Sequence, residues 1–170
     1  MARSRLERLY YKHNYMTRVL RIGNYLYRKR VPILPNLIRL GLRVAFNSDV
    51  PVMMNVPKDV IFMHNGMGTV IHVDVRFRGP ALINHNVTLG ASYGHSDEAP
   101  EIGSYVFIGT GAIVLGDVKI GDCSTVGAGA VVLKDVPPLH TAVGVPAVVR
   151  PSNPDYIRRI FDVNPEDVLA

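Results

Sequence analysis

From Ile102 to Asp135 the branched aliphatic residues recur at every sixth position. Ile102, Ile108, Val114, Ile120, Val126 and Val132 form an unbroken column, and Gly103, Gly109, Gly121 and Gly127 directly follow four of them. Four positions after each aliphatic stands a small or short residue: Val106, Ala112, Val118, Ser124, Ala130 and Val136. An amphipathic helix repeats at about 3.6 residues and a half-buried strand at about 2. A six-residue period instead fits a solenoid whose short flat sides each send one aliphatic into a continuous interior. Glycine beside that column suits backbones that turn tightly and stack closely. The period also runs upstream, through Val50, Val56 and Phe62, then Ile71, Phe77, Ile83 and Leu89. Its two breaks, Phe62 to Ile71 and Leu89 to Ile102, are insertions of three and seven residues. They predict loops around His64–Gly68 and Ala91–Ala99 that leave one corner of the coil.

The flanks follow a different rhythm. Met16, Val19, Leu20, Gly23, Leu26 and Tyr27 fall at helical spacing, with Arg18, Arg21 and Arg28 elsewhere on the wheel. Pro32 and Pro35 end that helix, and Asn36 is placed to cap a second one carrying Leu37, Leu40 and Val44. At the other end Asp155–Phe161 reads as a short helix over the second open end, with a final turn at Asn164-Pro165. The expected fold is therefore mainly β. Residues 1–46 form a basic amphipathic helical segment, 47–150 a parallel β-helix, and 151–170 a C-terminal helix and tail. For 1–46 the expected role is to cap the solenoid's exposed edges or to make oligomer contacts. A peripheral contact with anionic lipid headgroups is the second reading.

Composition adds limits. With 170 residues and 48 % apolar content the chain suits one domain with an ordinary core. Cys123 is the sole cysteine, so no intrachain disulfide forms and a reducing compartment fits. The first fifteen residues lack the apolar stretch of a signal peptide and no run of apolar residues is long enough to span a bilayer, so a cytoplasmic location is expected, with at most surface association. Residues 1–48 hold eleven Lys/Arg and one acid, whereas 49–170 hold eight and thirteen. The coil is thus acidic, and no nucleic-acid partner is expected.

With three sides per coil, about eighteen residues return the chain to one corner. Phe62, Ile83, Ile108 and Val126 become equivalent, and two residues beyond them His64, His85, Thr110 and Ala128 line up, with Gly111 and Gly129 just behind. Asp49, directly before Val50, is expected one coil below His64. A carboxylate on one imidazole nitrogen would fix the tautomer while the other nitrogen takes a proton from a hydroxyl. The small residues above would leave a groove for a long thin ligand.

These stretches resemble the hexapeptide-repeat acyltransferases, and within them the serine O-acetyltransferase branch. His64-Asn-Gly-Met-Gly-Thr-Val-Ile is similar to that family's catalytic motif with one extra residue. Asn86-Val-Thr-Leu-Gly-Ala, Ile108-Gly-Thr-Gly-Ala, Val126-Gly-Ala-Gly-Ala-Val-Val and Gly144-Val-Pro-Ala match its later signatures. The resemblance covers about residues 47–150 and implies a left-handed coil, a homotrimer and acetyl-CoA as co-substrate, with no metal. It implies His64 as general base with Asp49 as its partner, and Ala91 as a backbone oxyanion donor. It also implies Thr110, Gly111, Ala128 and Gly129 along the coenzyme A groove and Lys134 near its phosphates.

Departures from the family pattern shape the acceptor expectation. Met63 stands where the family has Asp before the catalytic His, and Glu98-Ala99 stand where it has Arg-His before Pro. A carboxylate-bearing acceptor would lose its cationic partner there. The expected function is therefore an O-acetyltransferase for a sugar or polysaccharide-precursor hydroxyl, with His85 and His95 near the acceptor. Serine O-acetylation is the alternative within the enzyme class. Outside it stand a non-catalytic scaffold and a zinc hydratase, the latter lacking the spaced histidine pair it needs.

Overall fold

The computed structural model describes residues 14–92, 94 and 98–170. Three sheets wrap one interior. The first stacks β1 (Val60–Phe62), β4 (Ala81–Ile83), β7 (Val106–Ile108), β10 (Thr125–Val126), β12 (His140–Val143) and β13 (Val148–Pro151). The second stacks β2 (Val70–Ile71), β5 (Thr88–Gly90), β8 (Ile113–Leu115) and β11 (Val131–Val132). The third stacks β3 (Arg76–Phe77), β6 (Glu101–Ile102) and β9 (Lys119–Ile120). Up to β11 consecutive strands lie in different sheets, and β1 through β8 each pair in parallel with the strand three later, which is a β-helix. Phe62 pairs with Ile83, Ile83 with Ile108, and Ile108 with Val126, the register expected from the period.

The aliphatic column is buried from end to end, Ile102 through Val132. Each such side chain contributes about 1.5–3 kcal/mol of transfer free energy. Coil spacing also explains the glycines. A Cβ on Gly109 would stand 2.5 Å from the Ala128 backbone nitrogen in the next coil, so no larger residue fits without moving the stack.

Two N-terminal helices close one end of the coil. α1 (Tyr15–Arg28) buries Met16, Leu20 and Gly23, and α2 (Leu34–Phe46) buries Pro35 and Leu42. Met16, Leu20 and Leu42 join the same core as Val50, Val52 and Phe62. The second helix starts at Leu34, ahead of the expected Asn36 cap, with Pro35 in its first turn where a missing N–H costs nothing. Its inner face also differs from the expected one. Pro35, Ile38 and Leu42 turn inward, leaving Leu37, Leu40 and Val44 exposed.

The C-terminal helix does not lie over the opposite end. β13 runs antiparallel to β12 and reverses the chain. α3 (Pro154–Phe161) then packs along a flat side, where Ile160 and Phe161 meet Ile61, Leu82 and Phe107 on the outer face of β1, β4 and β7, and Met63 just past β1. Edge-to-face rings, Tyr105 with Phe161 at 5.7 Å and Phe107 with Tyr156 at 5.9 Å, fix it there. α4 (Pro165–Leu169) ends the chain. No helix among the described residues is long and apolar enough to cross a membrane.

Candidate active site

The three-residue insertion after β1 forms a tight turn over Met63–Gly66. His64, Asn65 and Gly66 all take positive φ, at 52°, 55° and 56°. For the two non-glycine residues this costs about 1–2 kcal/mol each, so surrounding contacts must hold them. Those contacts come from the N-terminal segment. The Asn14 side-chain amide donates to the Phe62 carbonyl, while its oxygen accepts from Thr17 N–H at 3.0 Å and caps α1. Tyr15 N–H donates to Asn65 Oδ1 at 2.9 Å, Ser48 Oγ donates to the Gly66 carbonyl, and Gly68 N–H donates to the Phe46 carbonyl at 3.0 Å. The helices therefore cap the coil and clamp the histidine turn together.

Above that turn the expected column is present. Gly111 N–H donates to the His85 carbonyl at 3.1 Å, and Gly129 N–H to the Thr110 carbonyl at 2.8 Å, so His85, Thr110 and Ala128 stack on successive coils. The backbone rung below is Met67, whose carbonyl accepts from Asn86 N–H at 2.7 Å. His64, displaced by the insertion, joins through its ring, edge-on to His85 with centroids 5.0 Å apart. His85 Nδ1 is buried without a hydrogen-bond partner. Gly111 and Gly129 sit at φ +68° and +66° with nothing within 4 Å of a Cβ position, leaving the ridge open.

A second ridge went unread in the sequence, although the same period marks it. Leu89, Val114 and Val132 are in register, so two residues beyond them Ala91, Gly116 and Lys134 align. The candidate residues thus occupy opposite edges of the β2–β5–β8–β11 sheet. His64, His85, Thr110 and Ala128 precede its strands, and Ala91 and Lys134 follow them.

Asp49 departs from expectation. It bridges Val70 at the start of the second sheet and lies beyond the His64 turn. Its N–H donates to the Thr69 carbonyl at 2.9 Å, and its carbonyl accepts from Ile71 N–H at 3.0 Å. Its carboxylate is held by Arg39, with Nε at 3.0 Å, and by Arg43, both on α2, and not by His64. The Arg43 hydrogen bond, then Arg39, hold that carboxyl below the usual range against partial burial. Arg39 and Asp49 line a cleft of about 340 Å³ together with Val70, His72, Thr88 and Gly90.

His95 lies outside the described residues. Glu98 is half-buried, and its carbonyl accepts from Ser92 N–H at 3.0 Å. Burial, with Asp122 nearby, pushes the Cys123 thiol up to about 11, so it remains a protonated core group. Among the described residues no three His, Cys, Asp or Glu side chains gather as a metal site would need.

Comparison with known proteins bears on this geometry. Residues 99–134 match the family model "Bacterial transferase hexapeptide (six repeats)". A serine acetyltransferase of Bacillus subtilis is 33 % identical over 149 residues, covering 87 % of this chain and 67 % of that protein. The solved Neisseria gonorrhoeae serine acetyltransferase in complex with serine superposes with a TM-score of 0.71 at 34 % identity, covering 78 % of this chain and 54 % of that one. The Brucella abortus serine acetyltransferase in complex with coenzyme A gives a TM-score of 0.74 at 29 % identity, covering 81 % and 55 %. The chain spans about half the length of the first curated relatives it matches, 53, 51 and 58 % of three others. These likenesses overturn the expectation of a sugar acceptor, because the matched relatives and solved structures are serine acetyltransferases.

Proposed function

This chain belongs to the hexapeptide-repeat acyltransferases, in their serine acetyltransferase-like branch, and we propose that it transfers acetyl from acetyl-CoA to the hydroxyl of free serine. The observation that carries the reading is the corner where the clamped His64 ring meets His85 beneath the open Thr110–Ala128 ridge. In this reading His64 takes the hydroxyl proton as the serine oxygen attacks the thioester carbon, and the thiolate of coenzyme A leaves. His85 lines the acceptor position. The Ala91 N–H donates to the thioester oxygen as negative charge builds there. Thr110, Gly111, Ala128 and Gly129 would bear the extended arm, with Lys134 near the phosphates.

The placement of Ala91 and Lys134 across the sheet from His64 favours a site between neighbouring copies, so a homotrimer is part of the proposal. At Glu98-Ala99 the chain lacks the cation that an amino-acid carboxylate would meet. Arg39 and Arg43 on α2 hold positive charge around Asp49, so the chain carries cations outside that loop for an acceptor carboxylate. In this reading Asp49 holds the two arginines of α2, and His64 is oriented by its turn and by His85.

The test follows free thiol release from acetyl-CoA with L-serine and, separately, with a panel of sugars. Saturable release dependent on serine is expected. Release with sugars but not with serine would refute the acceptor.

A further inference from the structure

The outward faces of α1 and α2 serve neither the core nor the site. On α1, Tyr15, Ile22, Tyr25 and Lys29 recur at helical spacing and are all exposed, with the Lys29 ammonium 5.8 Å from the Tyr25 ring centroid. On α2, Leu34, Leu37, Leu40 and Val44 face away from the core, Val44 being 81 % exposed, and Gly41 among them has nothing within 4 Å of a Cβ position. The turn between the helices carries Arg28-Lys29-Arg30 into Ile33, which is 72 % exposed. Residues 14–48 hold seven cations (Arg18, Arg21, Arg28, Lys29, Arg30, Arg39, Arg43) and no acid.

Charge selects the occupant. Setting this face against itself on a second copy would oppose the exposed Arg28-Lys29-Arg30 run to its own copy, with no acid in residues 14–48 to answer it. The acid that α2 reaches, Asp49, already takes Arg39 and Arg43. An anionic bilayer accepts every component: aliphatics enter the acyl boundary, tyrosines sit at headgroup depth, and cations meet phosphates. We propose that the α1–α2 turn and the outer face of α2 dock this protein peripherally on an anionic phospholipid surface. The proposal goes beyond the acetyl-transfer reading and does not depend on it.

The test is cosedimentation of the full chain with vesicles of equal parts phosphatidylglycerol and phosphatidylcholine, against phosphatidylcholine alone. Binding to the anionic vesicles alone is expected, weakening with salt. A cation near such a surface contributes about fivefold, so Lys29→Gln/Arg30→Gln should weaken partitioning by about twenty-five-fold. Ile33→Ser/Leu37→Ser, which touches no core position, should weaken it by at least about tenfold. Absence of anionic-vesicle binding, or binding indifferent to both double variants, overturns the proposal. A lower oligomeric state of Ile33→Ser/Leu37→Ser in sedimentation velocity assigns the face to a second copy and also overturns it. Loss of serine turnover with vesicle binding intact would remove the acceptor reading alone.

Discussion

Asn14 joins two structures that are far apart in sequence. Its oxygen caps α1 and its amide satisfies the carbonyl at the end of β1, directly before the histidine turn. Asn14→Ala removes a cap worth about 1 kcal/mol and leaves the Phe62 carbonyl unpaired, so urea unfolding should show a loss of about 2 kcal/mol. An unchanged midpoint would mean that α1 does not hold the turn. No sequence pattern marked this role, because the partners lie 48 positions apart and one is a backbone carbonyl. The Asp49–His64 contact failed for a related reason. Periodicity ranks positions around the coil but does not say which neighbour a flexible carboxylate will choose, and two arginines on α2 stand closer. That choice has a pH signature. Asp49 has a native pKa below its unfolded value, so its contribution is present above the unfolded pKa and is lost as pH falls through the native one. Melting of Asp49→Asn should therefore fall below wild type at neutral pH, modestly for a partly exposed pair, and converge with it in acid. A gap that persists in strong acid would contradict the ion-pair account.

At the scale of elements, the six-residue period carried the strands and their register, and the helical period carried both N-terminal helices. It misjudged which side of α2 is inner. Its polar stripe, Asn36, Arg39 and Arg43, runs between two apolar sides, so periodicity did not say whether Leu37, Leu40 and Val44 or Pro35, Ile38 and Leu42 turn inward. Stability separates the faces. Leu42→Ala should cost about 2–5 kcal/mol by chemical denaturation, whereas Val44→Ala should stay within about 0.5 kcal/mol. Equal costs would contradict the observed orientation. The C-terminal helix was legible as a helix but not in its position, since the reversal at β12–β13 that lays it along a flat side is a tertiary event.

For the whole molecule, winding brings His64, His85, Thr110 and Ala128 to one edge and Ala91 and Lys134 to another. The first edge was readable by adding two to each equivalent aliphatic; the second obeys the same rule. The acceptor was the least legible feature, because absent loop residues were weighed without knowing that α2 places arginines beside the second sheet. The central claim is that the imidazole at residue 64 is the base for acetyl transfer to serine. It is tested most directly by serine-dependent thiol release from acetyl-CoA in His64→Ala beside wild type, with coenzyme A affinity measured on both. A fall of about 10²-fold or more in turnover with coenzyme A affinity kept is predicted. Turnover equal to wild type in that variant would contradict the account.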